Sequence, residues 1–191
     1  MQVLHYPPAT LIGDYLRAGV GVAVGAGVLA ATPINWAIAV VFGGLLALFG
    51  TFGLRTLHRH VSRIIVTPEG IASKALGTRR IHWDALEQVK LRYYGTKRQE
   101  RRESGFLQLK LRGDGTAITL ESNLDGFDLV VWCAARAARA NEIALDATSA
   151  GNIEALGIHA DGTGTPPPQI ADMAAELMKD AAEKERREDA S

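Results

Sequence analysis

The sequence predicts a membrane-anchored α+β protein: a two-helix transmembrane hairpin followed by a partly open antiparallel β-barrel capped by a C-terminal helix. Three observations predict it. Residues 18–54 carry no charged side chain. After Arg63 the apolar period changes from helical spacing to alternation, which marks strands with one buried face. After the last alternating segment, Phe127, Val130, Val131, Ala134 and Ala138 recur at three and four, the spacing of one apolar helix face.

The charge-free run is 37 residues long. As one helix it would extend about 55 Å, nearly twice a hydrocarbon core of roughly 30 Å. It breaks near its middle at Thr32, Pro33, Ile34 and Asn35, because Pro33 lacks a backbone donor and disfavours helix in the residue before it. The reading is a hairpin with spans over residues 15–31 and 34–54, which satisfies its backbone amides internally where no water reaches. Apolarity on every helix face needs lipid or a large protein around it, and the rest of the chain is too small to wrap it. A cleaved signal peptide is excluded by Asp14, by the lack of a basic lead and by the doubled length.

Small residues recur every fourth position: Gly19, Ala23, Gly27 and Ala31 in the first span, Ala39, Gly43, Ala47 and Thr51 in the second. Such tracks let helix backbones approach closely, either zipping the hairpin to itself or joining a partner, including a second copy in a homo-oligomer. Arg17 precedes the first span and Arg55, Arg59 and Arg63 follow the second, while the turn has no Lys or Arg. The positive-inside rule then puts both termini in the cytoplasm, as a two-pass protein of the cytoplasmic (inner) membrane, with Trp36 at the opposite interface.

Charge is balanced at 21 basic and 21 acidic residues but unevenly placed. Residues 55–112 hold 14 Lys and Arg against 5 acids, and residues 113–191 hold 6 against 15. The half next to the membrane is therefore basic, as anionic lipids favour, and the distal half is acidic. One cysteine, Cys133, excludes an internal disulfide.

In chain order, residues 1–14 read as an extended interfacial lead-in and residues 15–57 as the hairpin. Residues 58–159 form the cytoplasmic domain. Its strands are expected at residues 63–67, 71–76, 81–83, 89–94, 107–112 and 117–121, with turns at Pro68–Gly70 and at Asp114–Gly115. A loop over residues 95–105 carries Lys97, Arg98, Arg101 and Arg102. Asp125 is expected to cap the helix that follows, with Asp128 in its first turn complementing the helix dipole. Residues 160–169, rich in Gly and Pro, read as a flexible linker. Residues 170–191 read as an amphipathic, charged tail helix whose stripe of Ile170, Met173 and Leu177 docks on a partner.

The segments VTPEGI (residues 66–71), IHWDALEQV (81–89) and NLDGFDLVVW (123–132), in this order after a helical hairpin, resemble the bacterial pleckstrin-homology-like domains of small membrane proteins. The resemblance covers about residues 58–147 together with the hairpin. It implies a partly open seven-stranded barrel capped by a helix, a scaffold used for protein or lipid contacts. In the phosphoinositide-binding members basic residues occupy the loop between the first two strands. That loop here is Pro68, Glu69 and Gly70, so the resemblance does not carry that activity over.

No pattern points to an enzyme, a cofactor or a metal. The Gly-rich text GVGVAVGAG lies inside the apolar run rather than between a strand and a helix. His58 and His60 fall on different helix faces without a third ligand, and nothing nominates a base for Cys133. Arg112, Gly113 and Asp114 read as a hairpin turn rather than an adhesion motif. Nucleic acid is excluded as a partner because no recognised module accompanies the charge. The expectation is a non-enzymatic module in contact with the bilayer that holds a protein partner within a membrane complex. The alternative is a sensor of anionic lipid through Arg79, Arg80, Lys97, Arg98, Arg101 and Arg102.

Overall fold

The computed structural model describes residues 1–31, 35–74, 77–95 and 105–188. The chain forms two compact units: Tyr6–Ser62, and Met1–His5 together with Arg63–Ser191.

The first unit is a pair of helices, α1 (Pro8–Ala31) and α2 (Trp36–Val61). Within them Ile12–Ala31 and Trp36–Leu57 are long and apolar enough to cross a membrane. Asn35 caps α2, its Oδ1 accepting from the Ile38 N–H at 3.0 Å. The expected turn residues Thr32, Pro33 and Ile34 lie outside the described residues. Hydroxyls inside α2 are satisfied by its own backbone: Thr51 Oγ1 donates to the Ala47 carbonyl at 2.7 Å and Thr56 Oγ1 to that of Phe52 at 3.1 Å. The helices run antiparallel. The Phe49 ring fills the space over Gly21, Phe42 and Leu46 lie over Gly25, and Ala18 touches Gly53.

Among the described residues the second unit holds seven strands in two antiparallel sheets. Sheet one has the order β1 (Gln2–His5), β2 (Arg63–Val66), β3 (Gly70–Lys74), β4 (Thr78–His82); sheet two has β5 (Leu86–Tyr94), β6 (Phe106–Gly113), β7 (Thr116–Glu121). The six strands expected after the hairpin are present with small shifts of their ends; Ala75 and Leu76 lie outside the described residues. No ladder joins the two sheets among the described residues, so the barrel is not closed. The seventh strand is β1, formed by four residues of the lead-in, which pairs with β2 from Gln2↔Val66 to His5↔Arg63. The two-helix unit is thus inserted between two neighbouring strands of one sheet. Its connections are Tyr6–Pro7 on one side and Ser62 on the other.

The Asp114–Gly115 turn has both residues at positive φ, 51° and 65°, as a tight β6–β7 hairpin requires. Ile64, Val66, Ile71 and Ile81 of the first sheet and Leu91, Leu109, Leu111, Ile118 and Leu120 of the second are buried. Helix α3 (Phe127–Ala140) covers this core. Its N-cap is Gly126 at φ 74°, not Asp125, and no side chain caps it. Asp125 is engaged otherwise: its N–H donates to the His5 carbonyl at 3.2 Å, tying the helix entry to β1.

Beyond α3 come α4 (Ala147–Ala155) and, after a short 3₁₀ turn at Pro168–Ile170, α5 (Ala171–Glu188). The segment read as a flexible linker, residues 160–169, is anchored at Pro167, which is buried. A Cβ on Gly162 would stand 2.6 Å from the Ala135 carbonyl oxygen. Its glycine therefore serves a close approach to α3 rather than slack.

Candidate functional site

Alternation along a strand sends neighbouring side chains to opposite faces, and this separates Arg79 from Arg80. Arg79 turns toward β7, where its Nη1 donates to the Ala117 carbonyl at 3.4 Å. Arg80 stands on the outer face of the first sheet, in the cross-strand row Val3–Ile65–Ala72–Arg80. The next row on that face is His5–Arg63–Lys74–Thr78. The outer face is thus an apolar strip of Val3, Ile65 and Ala72 edged by the exposed cations Arg63, Lys74 and Arg80. None of the three cations has an ion pair among the described residues.

A depression of ≈ 890 Å³ runs over this face, lined in part by Ile65, Lys74, Arg80, His82 and Lys184. Two carboxylates at its margin are engaged. Lys184 Nζ lies 2.7 Å from Glu69 Oε1 and is the main cause that holds the Glu69 carboxyl down at about 2. The His82 N–H donates to Asp114 Oδ2 at 2.7 Å, which lowers the Asp114 carboxyl below its ordinary range. A third carboxylate, Asp84, also lines the depression. Of the six cations expected to form one surface, Arg80 is here, Arg79 is not, and Lys97, Arg98, Arg101 and Arg102 lie outside the described residues. Arg63 and Lys74 join Arg80 through strand register, which their separation in sequence conceals.

The tail helix uses its apolar stripe on its own domain. Ile170, Ala174 and Leu177 are buried, and Met173 is half-buried beside Gly126. A polar edge at four-residue spacing runs alongside: Glu176 accepts from Gln2 Nε2 at 2.6 Å, Asp180 meets the Met1 ammonium, and Lys184 meets Glu69. The residues proposed for docking are therefore occupied within the chain.

The small-residue tracks lie away from the contact between α1 and α2. Gly19, Ala23, Gly27, Ala31, Ala39, Ala47 and Thr51 are exposed and Gly43 is partly so, and no described atom of the facing helix lies within 4 Å of a Cβ built on Gly19, Gly27 or Gly43. The helices meet instead along Ala18, Gly21 and Gly25: the Phe49 ring needs the hollow at Gly21, and the Phe42 carbonyl and Leu46 come close at Gly25.

The free edge of the second sheet is sealed by α4. Ser149 Oγ accepts from the Leu91 N–H at 3.0 Å, and Asn152 Nδ2 donates to the Leu91 carbonyl at 2.9 Å, so two side chains stand in for a missing strand. Asp146 caps α4 through the Ser149 N–H at 3.0 Å and takes both Arg92 nitrogens, at 2.7 and 3.2 Å. Arg92 chiefly, with the Ser149 N–H, pulls the Asp146 carboxyl well below its ordinary range.

A second opening, ≈ 290 Å³, lies between α3 and α5 and is lined by Trp83, Trp132, Cys133, Arg136, Leu177 and Met178 among others. Trp83 anchors the turn before β3, its Nε1 donating to the Thr67 carbonyl at 3.0 Å while Asn141 Nδ2 holds the Trp83 carbonyl at 2.6 Å. Burial pushes the Cys133 thiol up to about 12, which keeps it protonated at neutral pH. The Arg136 guanidinium stacks 4.7 Å above the Trp132 ring. Sequence reasoning did not foresee this cleft, because its second wall belongs to a helix expected to dock elsewhere. Comparison of the chain with protein-family models, with curated proteins and with solved structures finds no match.

Proposed function

We propose that the protein is a non-enzymatic, two-pass protein of the cytoplasmic membrane that holds a PH-like β domain at the cytoplasmic face as a binding module for a protein partner in a membrane complex. The observation that carries this reading is the β1–β2 pairing across the inserted helices. Because strands on either side of the helix pair share one sheet, the chain must enter and leave the bilayer on the same side. The basic flanks then make that side cytoplasmic. Seven strands in two sheets with a helix over the core support the PH-like reading. The binding surface in this reading is the outer face of the first sheet, where apolar strip and cations together suit an acidic, partly apolar partner. Crosslinking in native membranes followed by mass spectrometry tests it. A partner captured by the native chain and lost with Arg80→Glu and Ile65→Asp supports the module; recovery of the protein alone contradicts it.

Anionic lipid is the second reading, and the gathering of Arg63, Lys74 and Arg80 around Val3 and Ile65 is the observation that favours it. It predicts binding to anionic liposomes that salt releases, and none to neutral ones. Equal binding to both would remove it.

A further inference from the structure

We infer that the outer face of the second sheet, centred on Lys90, Lys110 and Arg112, is the face by which the β domain rests on anionic lipid headgroups of the bilayer that its own helices cross. The inference rests on the two-pass reading. It uses a different surface from the outer face of the first sheet, which it leaves to the protein partner.

The first observation is a like-charge pair in register. Lys90 of β5 stands directly opposite Lys110 of β6, and Thr119 of β7 completes the row. Like charges directly opposite each other on one face of a sheet are destabilising. The next row, Gln88–Arg112–Ala117, adds a third cation on the same face, and the Arg79 guanidinium, on the Ala117 carbonyl, brings another to its end. On the other side the row Arg92–Gln108–Glu121 carries the one acid of these three rows. Arg92 is taken by Asp146, whereas Lys90, Lys110 and Arg112 have no ion pair among the described residues, with Glu87 at the bulge or with any other acid. Lys110, Arg112 and Thr119 are exposed, because α4 seals the edge of β5 and leaves this face uncovered. An anionic surface laid on the face relieves the repulsion between Lys90 and Lys110.

The second observation is aromatic. Tyr94 and Phe106 end the same face as a cross-strand pair, stacked with ring centroids 5.7 Å apart, and they are 48% and 39% exposed. Exposed aromatic rings beside cations suit the boundary between headgroups and acyl chains. The third observation is the tether. From Leu57, the end of the second candidate span, to Arg63, the start of β2, the chain advances six residues, a reach of at most about 20 Å. A bilayer surface is therefore always within reach of the β domain, which favours lipid over any anion that must arrive by diffusion.

The test uses the full chain in nanodiscs of phosphatidylcholine alone or of an equal mixture with phosphatidylglycerol. In a Cys133→Ser background a bimane is placed at Thr119→Cys or, on the first sheet's outer face, at Val3→Cys. The quencher is a phosphatidylcholine with a nitroxide on its headgroup. The Thr119 label should be quenched in the mixed discs, released by salt and unquenched in neutral discs, while the Val3 label does not respond to lipid charge. Lys90→Gln and Lys110→Gln should each lower the ratio of docked to free domain about fivefold. Lys110→Glu should abolish docking and raise the melting temperature of the β domain, since it turns the repulsive pair into an attractive one. Quenching at Thr119 that ignores lipid charge or Lys110→Gln overturns the inference, and charge-dependent quenching at Val3 in its place assigns the leaflet to the first sheet. A Thr119 label that responds to an added oligonucleotide and not to phosphatidylglycerol gives the face to nucleic acid and overturns it as well. A chain that does not assemble into discs fails the two-pass reading and the inference with it, whereas an assembled chain with Thr119 unquenched fails the inference alone.

Discussion

Leu4 of β1 stands opposite Ile64 of β2 in an antiparallel ladder, both buried, with the whole two-helix unit between them in sequence. The first residues of the chain are thus part of the β domain's core. Leu4→Ala should destabilise that domain by about 2–5 kcal/mol, as cavity-forming Leu truncations do. The neighbouring Val3→Ala, at an exposed position, should change it by less than about 0.5 kcal/mol. Limited proteolysis of the β domain in nanodiscs measures both, and equal effects would contradict the placement of β1.

Gly126 couples β1 to α3. A Cβ there would lie 2.8 Å from Leu4 Cδ2, and the residue sits at φ 74°. Gly126→Ala should therefore cost about 1–3 kcal/mol from left-handed strain and crowding. In the Leu4→Ala background the crowding is relieved, so the double variant should lose less than the sum, read by a double-mutant cycle on thermal unfolding.

Ser149→Ala removes the acceptor of the Leu91 N–H at a buried edge. The expected loss is about 1–3 kcal/mol, the penalty of an unmet buried donor. Faster amide exchange at Leu91 than at Leu109, which is inside the sheet, is the accompanying local signature.

The pair Glu69–Lys184 gives α5 a pH dependence. The Glu69 carboxyl is held at about 2 in the folded protein, below its ordinary value of 4.5. A depressed acid stabilises above its unfolded value and loses that stabilisation as pH falls through the folded one. Docking of α5 should then weaken between about pH 4.5 and pH 2, by no more than about 1 kcal/mol since both side chains are partly exposed. Glu69→Gln should flatten this part of the profile when α5 protection is followed by proteolysis.

Several elements were legible in the sequence because their signals are local. The charge-free run, the alternation of Val89, Leu91 and Tyr93, and the Asp114–Gly115 turn each announce one element within a few residues. What escaped is long-range. Strand β1 is four residues without a period, and only its pairing with β2 makes it a strand. Helix α4 has a weak apolar face and is recognised by its cap, Asp146 three residues before Ser149, a signal that stands in the sequence. Arg79 and Arg80 were expected to face one surface, which strand alternation forbids. The close meeting of Gly21 with Phe49 depends on the rotation of two helices, which a four-residue repeat of small residues does not determine.

The central claim, a membrane hairpin inserted between two paired strands on the cytoplasmic side, is tested most directly by labelling single cysteines. In a Cys133→Ser background, Val3→Cys, Lys74→Cys and Trp36→Cys are each exposed to a membrane-impermeant maleimide in right-side-out and inverted membrane vesicles. Val3→Cys and Lys74→Cys should react only in inverted vesicles and Trp36→Cys only in right-side-out ones. Labelling of positions 3 and 74 from opposite sides, or of all three positions from the same side, would contradict it.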